Sequence, residues 1–275
     1  MSDPAQAVRV CILAGDRTAD DPLCRAQGVP GKALVRVGDA PLLGHVLKAI
    51  QAWPRRGDIV LVAHKTPPFE RVVDELDQLR ARVVWREPAE RLYDSIRNAF
   101  ADQPAGQRGL IVSGDHALLK PAWLEQVYQG LCAGAEMTVA LAWHKTVMAQ
   151  FPSSRRTHYR FADGAVCGGN VFGCQMPQLM KVLDIWQRME SERKKPWKVL
   201  SLLGVRQVAR YLAGQLTVTE AFSSLSSKTG VAVAPILIDD GEVAVDVDSM
   251  ADLQLVERAM AQRMSTDQSG QASTC

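Results

Sequence analysis

Between Val8 and Trp143 the chain repeats one pattern: a short apolar run, a polar loop, then a longer amphipathic run. The apolar runs are VRVCILAG (Val8–Gly15), DIVLVAH (Asp58–His64), RVVWRE (Arg82–Glu87), GLIVSGDHALL (Gly109–Leu119) and EMTVALAW (Glu136–Trp143). Between them stand PLLGHVLKAIQAW (Pro41–Trp53), PPFERVVDELDQLRA (Pro67–Ala81), LYDSIRNAFADQ (Leu92–Gln103) and PAWLEQVYQGLCAG (Pro121–Gly134). These carry helical periodicity, and three of them open on proline, which suits a first helical turn. Continuous apolar strands must be covered on both faces, and parallel neighbours need a crossover rather than a tight turn. The alternation therefore predicts an α/β fold: a three-layer, Rossmann-like, mostly parallel sheet with helices on both faces.

The second half breaks the rhythm. THYRFADGAVCGGNVFGC (Thr157–Cys174) reads as a hairpin turning at Asp163-Gly164. A helical stretch, predicted from Pro177 to about Glu220, carries the basic knot ERKKPWK (Glu192–Lys198). A strand VAVAPILI (Val231–Ile238), a turn at Asp240-Gly241 and a final helix follow. Residues 1–264 read as one domain with a helical insert at about 177–220, and the polar tail 265–275 reads as disordered.

The composition is that of an ordinary globular chain of 275 residues, 47% hydrophobic and 23% charged, enough to bury a sizeable core. A net charge of +2 gives no global field toward nucleic acid. Six cysteines lack CxxC spacing, so neither a disulfide framework nor a zinc knuckle is expected, and Cys11 reads as a buried apolar filler. No apolar run is long enough to span a bilayer, the first ten residues do not read as a signal peptide, and a cytoplasmic location is expected.

Ligands of open α/β sheets bind at the carboxyl ends of the strands. After the first strand stand Gly15, Asp16, Arg17, Arg25 and Lys32; after the third, Glu87 and Arg91, with Ser95 entering the next helix. After the fourth come Gly114, Asp115 and His116, and Asp246 and Asp248 stand near the C-terminus. Backbone N–H groups and cations in the first loop suit a triphosphate, and the carboxylates suit Mg²⁺ shared with phosphates. Each residue also has a plainer reading. Lys32 could be a solvated loop lysine, Asp115 a helix cap, and Asp246 and Asp248 one polar side of a strand whose valines face inward. His116, His144 and His158 read as structural or surface residues, and the basic knot as a solvated face.

In order and spacing, Leu13-Ala14-Gly15, Lys32, VGDAPLL, DSIRNAF, GDHALL, GGNVF and DSMADL resemble the motifs of MobA-like nucleotidyltransferases in the glycosyltransferase-A-like superfamily. The resemblance spans about Val8 to Met260. It implies transfer of a nucleoside monophosphate from an NTP to a phosphorylated acceptor, a sugar, polyol or cofactor phosphate, with release of pyrophosphate and a need for Mg²⁺. It implies nucleotide contacts at Leu13, Ala14, Gly15, Arg17 or Arg25, Lys32, Ser95 and Gly114. Asp115 and Asp248 are implied as metal ligands with Asp246 behind them, Lys32 and Asp115 as the catalytic pair, and Asn170 as an acceptor contact. Asp16 stands where the family has a second glycine, Ala117 replaces the proline of the metal loop, and Ser249-Met250 replaces Thr-Pro. The Asp16 change admits a second reading, a nucleotide-binding or regulatory module without turnover. Asp246-Val247-Asp248 admits a third, transfer of a glycosyl group from a nucleotide sugar. The knot Lys194–Lys198 could contact an acceptor phosphate or an anionic membrane surface.

Overall fold

In a computed structural model, which describes residues 7–15, 21–191 and 204–272, the apolar runs lie side by side as one sheet. The first half contributes β1 (Val8–Leu13), α1 (Pro22–Gln27), β2 (Arg36–Val37), β3 (Ala40–Pro41), α2 (Leu42–Ala52), β4 (Arg56–Val62), α3 (Pro67–Asp74) and α4 (Asp77–Arg80). Then come β5 (Val83–Arg86), α5 (Leu92–Phe100), β6 (Arg108–Ser113), α6 (Pro121–Cys132), β7 (Met137–Trp143) and α7 (His144–Gln150). The second half adds β8 (His158–Phe161), β9 (Gly164–Gln175), α8 (Gln178–Ser191), α9 (Val205–Leu212), α10 (Val218–Thr229), β10 (Val233–Leu237) and α11 (Met250–Ala272).

The eight-stranded sheet has the order β10-β7-β9-β6-β1-β4-β5, with β8 paired to β9. The β1–β4, β1–β6, β4–β5 and β7–β10 pairs are parallel. Strand β9 runs antiparallel to β6, β7 and β8. The expected hairpin thus forms, and its second strand is inserted into the middle of the sheet. Side chains alternate between the two faces. Val10 and Ile12 of β1 pack with Leu47 and Ile50 of α2, Trp53 just after it, and Trp123 of α6. Cys11 turns the other way, against Ile96 and Phe100 of α5. Its thiol is fully buried, and that burial pushes its pKa up to about 12, as befits an inert filler.

Several local expectations needed revision. The long loop after β1 contains α1, with Asp21 as its cap, Pro22 at its start and Gly28 left-handed at φ 65° at its end. The run predicted as one helix over Pro67–Ala81 divides into α3 and α4. The helices of the insert continue past Glu220 to Thr229, with left-handed glycines at Gly204 before α9 and at Gly214 after it. Helix α7, unforeseen, follows β7 directly, and the ring of its His144 lies 4.2 Å from that of His158. The tail expected to be disordered continues α11 to Ala272. A helix already nucleated extends at little cost when no proline intervenes. Asp16, Arg17, Trp197 and the knot Lys194–Lys198 lie outside the described residues.

No helix among the described residues is long and apolar enough to cross a membrane. Of the six cysteines, Cys11, Cys24, Cys132, Cys167 and Cys174 are free, and Cys275 is outside the described residues.

Candidate active site

From β1 the chain first builds outward through β4 to β5, then returns to place β6 on the other side of β1. The connections diverge there, which opens a crevice at the carboxyl ends of β1 and β6. Leu13, Ala14 and Gly15 leave β1 at this crevice, and Ser113, Gly114 and Asp115 leave β6 beside them. The Gly114 N–H donates to the Leu13 carbonyl at 2.8 Å. A Cβ on Gly114 would stand 2.8 Å from Ala14 Cβ and 3.2 Å from the Leu13 carbonyl oxygen. Glycine therefore lets the two loops touch. Gly114→Ala is expected to push them apart and destabilise the fold by about 1–3 kcal/mol, read as a lower Tm together with a higher KM for nucleotide. An unchanged Tm and KM would show that the close approach constrains nothing.

Lys32 enters the crevice from the 3₁₀ turn Lys32–Leu34, anchored by buried Ala33 and Leu34. Its Nζ lies 2.5 Å from Asp115 Oδ2 and also contacts Asp248 Oδ1. Burial alone would lower the pKa of this ammonium; Asp115 and Asp248 outweigh it, and the net shift is upward, so the group stays charged. The Ser113 hydroxyl donates to Asp115 Oδ1, fixing the carboxylate on its other side.

The C-terminal acidic residues reach the crevice by alternation without a strand. The turn expected at Asp240-Gly241 forms as a 3₁₀ turn, Gly241–Ala244, and the strand expected for the valine–aspartate alternation is instead an extended stretch outside any sheet. Val245 and Val247 are fully buried against Leu253 and Val256 of α11, which turns Asp246 and Asp248 the other way. The Val247 N–H donates to the Asp115 carbonyl at 3.3 Å, tying the two acidic loops together.

Asp246 is largely buried and held by two neighbours. Asn170 Nδ2 of β9 donates to Asp246 Oδ2 at 2.6 Å, and Arg156 Nη1 contacts Asp246 Oδ1. Arg156 also donates to the Asp246 carbonyl at 2.7 Å and to Asp252 Oδ1 at 2.5 Å. Asp252 in turn accepts from the Ser249 hydroxyl at 2.6 Å and from the Asp248 N–H at 3.3 Å, capping the start of α11. Burial first, then the charges of Asp115 and Asp248, raise the Asp246 pKa; Arg156 and Asn170 act against that shift.

Among the described residues, Asp115, Asp246, Asp248 and Asp252 thus face Lys32 and Arg156 within this network. The surplus is negative and the donors are hard oxygens, the set that suits Mg²⁺ rather than a soft metal. Among the described residues no three His, Cys, Asp or Glu side chains converge to hold a metal unaided. Asp115 and Asp248 do converge, since both reach the same nitrogen. A two-carboxylate site fits Mg²⁺, which commonly takes its remaining ligands from phosphates and water.

The cluster opens into a cavity of about 920 Å³ lined by Ala14, Gly15, Lys32, Asp115, Asn170 and Asp248 at its polar end, and by apolar side chains beyond. Ser95 is 4% exposed and does not line it; its hydroxyl accepts from the Ala89 N–H at 2.8 Å and shapes the loop between β5 and α5. Arg25 is exposed on α1 and does not line the cavity either. His116 is buried, stacked on Trp123 and 3.2 Å from the Glu242 carbonyl, so its role is structural as expected. Arg156 and Asp252 were missed. One arginine among the three in SRRTHYR carries no local mark, and Asp252 stands inside a helical pattern.

Residues 10–196 match the model of the MobA-like NTP transferase domain. None of the curated proteins compared with it matches the sequence. Among solved structures, a hypothetical transferase from Thermus thermophilus superposes with a TM-score of 0.72 at 26% identity, covering 90% of this chain and 99% of that one. A CMP:2-keto-3-deoxy-manno-octonic acid synthetase complexed with CTP gives 0.56 at 14% identity, covering 94% and 100%. The 4-diphosphocytidyl-2C-methyl-D-erythritol synthase from Anaerococcus prevotii gives 0.56 at 11%, covering 94% and 97%. At such identities the last two attest to a shared fold.

Proposed function

The chain belongs to the MobA-like NTP transferase family, and from that premise we propose that it transfers a nucleoside monophosphate from an NTP to a phosphorylated small molecule. The observation that carries the reading is the junction of Lys32, Asp115 and Asp248 at the crevice between β1 and β6. An acceptor phosphate oxygen attacks the α-phosphorus in line. A bond from that oxygen to the α-phosphorus forms, the bond to the bridging oxygen breaks, and pyrophosphate leaves with the electron pair.

The chain's own groups supply position and charge. Backbone N–H groups around Gly15 meet the triphosphate, with a glycine there because its backbone approaches Pro88 so closely that a Cβ would sit 2.7 Å from Pro88 Cγ. Lys32, kept protonated by its surroundings, neutralises phosphate oxygens as pyrophosphate leaves. A second cation at the phosphates would fall to Arg17, since Arg25 does not line the cavity. Asp115 and Asp248 would hold Mg²⁺ with Asp246 behind them; the ion's contribution is to offset charge on the phosphates. Asn170, fixed by its bond to Asp246, lines the acceptor side. No covalent intermediate on the protein is needed, because positioning and electrostatics supply phosphoryl-type transfer.

The test is pyrophosphate release from each of the four common NTPs, with Mg²⁺, against a panel of phosphorylated acceptors. One NTP is expected to raise the Tm and, with its acceptor, to release pyrophosphate. At a hundredfold excess over Kd the stabilisation is about 2.7 kcal/mol. Nucleotide binding without pyrophosphate release from any pair would replace transfer with a binding module.

A further inference from the structure

The reading as a nucleotidyltransferase leaves one part of the cavity without a task. Away from Lys32 and Asp115 its floor crosses four neighbouring strands: Ile111 of β6, Phe172 of β9, Val139 and Met137 of β7, and Val233 of β10. These residues share one face, since Ile111 and Val139 both pair with Phe172, and Met137 pairs with Val233. Leu179, Val182, Leu183 and Trp186 of α8 form one wall, and Leu225 of α10 another. Thr229 also lines this part, but its hydroxyl already donates to the Leu225 carbonyl at 2.9 Å. Trp186 stays 38% exposed, an unusual surface for a large aromatic beside an otherwise buried wall.

Polar groups therefore gather at one end of the chamber and hydrocarbon lines the other. A sugar or polyol phosphate with its phosphate at the polar end would bring hydroxyls into a chamber whose described lining, Thr229 aside, is hydrocarbon, which costs affinity. A hydrocarbon body in the same place exchanges water for apolar contact. In the proposed transfer the nucleotide would lie at the β1 side of the crevice, by Gly15. The chamber under α8 and α10 lies toward β7 and β10, on the opposite side of β6 from β1.

We propose that the acceptor is a phosphate monoester of a hydrocarbon, an alkyl or prenyl phosphate, with its phosphate at the Asn170–Asp248 end and its chain between the sheet face and α8. The inference rests on nucleotidyl transfer as the activity. Its test has two readouts. First, binding: 1-anilinonaphthalene-8-sulfonate fluoresces in the chamber and is displaced by decyl phosphate and by geranyl phosphate, the two arms separating linear from prenyl chains. Second, turnover: the same two phosphates support pyrophosphate release, whereas glucose 1-phosphate and glycerol 3-phosphate do not. Val182→Glu on α8 and Leu225→Glu on α10 each place a charge on the wall. Each is expected to weaken decyl phosphate at least about tenfold, leaving KM for the NTP unchanged. Leu212→Glu, at an exposed α9 position that does not line the cavity, is the control for charge and folding. Turnover of polar acceptors without displacement by either hydrocarbon phosphate overturns this inference and leaves the transferase intact. Displacement without pyrophosphate release from any NTP overturns the transferase, and the acceptor role with it.

Discussion

Asp115→Ala is expected to reduce pyrophosphate release about 10³-fold or more, the scale seen when a preorganised charge partner of a developing transition state is removed. The fold should remain. Asp115 is one of the two charges that, after burial, push the Asp246 pKa upward, so its loss relieves repulsion inside the acidic cluster. Lys32 keeps Asp248 as a partner, and Ser113 sits at a part-buried position where another acceptor or water can serve it. Electrostatic relief and lost hydrogen bonds oppose each other, and the Tm is expected to move by no more than a few degrees. Asp115→Asn separates charge from shape. The amide preserves volume and can accept from Ser113, yet it provides no anionic ligand, so turnover should be lost as in the alanine variant. The assay is pyrophosphate release at saturating NTP and Mg²⁺, with thermal unfolding alongside. Turnover within a few fold of the parent protein would remove Asp115 from the mechanism.

Arg156→Met is expected to act on stability first. The guanidinium is only 11% exposed and bridges Asp246 and Asp252, whose side chains are 20% and 18% exposed. Methionine fills much of the volume but leaves both carboxylates without their cation. Breaking a buried pair in this way costs about 3–5 kcal/mol, which for a domain of this size is a fall in Tm of roughly 6–20 °C. Adding Asp246→Asn removes one of the two stranded charges, and the double variant should recover a good part of the loss.

The pH response has a definite sign. Asp246 is raised in the folded state, so between its unfolded and folded pKa values the native protein binds the extra proton. The penalty is therefore present at neutral pH and lifts as the pH falls through the folded value. Arg156→Met, in metal-free buffer, should lose least stability near the acidic end of the folded range and most at neutral pH. Equal losses at pH 5 and pH 7.5 would contradict the assignment of the penalty to a stranded carboxylate. Turnover should also fall, because Arg156 holds the stretch that turns Asp248 toward Lys32.

Much of this architecture could be read from the sequence because its causes are local. A buried parallel strand is a run of Val, Ile and Leu, as in VRVCIL and DIVLV, and a helix that covers it repeats its apolar residues at three to four positions. The alternation of the two dictates crossovers, and crossovers dictate a crevice at the strand ends. Asp115 stood out because it follows an apolar run where the chain leaves the sheet, Lys32 because it ends a polar loop just before the chain turns apolar, and Asp248 because it alternates with valines. The antiparallel insertion of β9 was less legible. A hairpin at Asp163-Gly164 was evident, but the neighbours of its second strand depend on which edge of the sheet is open when it arrives.

What determined the working form of the site was contact between distant residues. Lys32 meets Asp248 across 216 positions, and Arg156 meets Asp246 across 90. No periodicity encodes such pairs, because periodicity records only which face of a helix or strand is buried. The alternation in VAVDVD showed that the aspartates share a side; the burial of Val245 and Val247 under α11 decided which side, without any strand at all. The apolar chamber is likewise tertiary. In sequence its residues are ordinary core positions on several strands and helices, and only the separation between the sheet and the α8 and α10 walls turns them into a cavity. The sequence thus set the fold and the chemical types at the crevice, through local patterning. The tertiary structure alone decided which charges neutralise one another and where hydrocarbon is left facing space, since both follow from packing between elements.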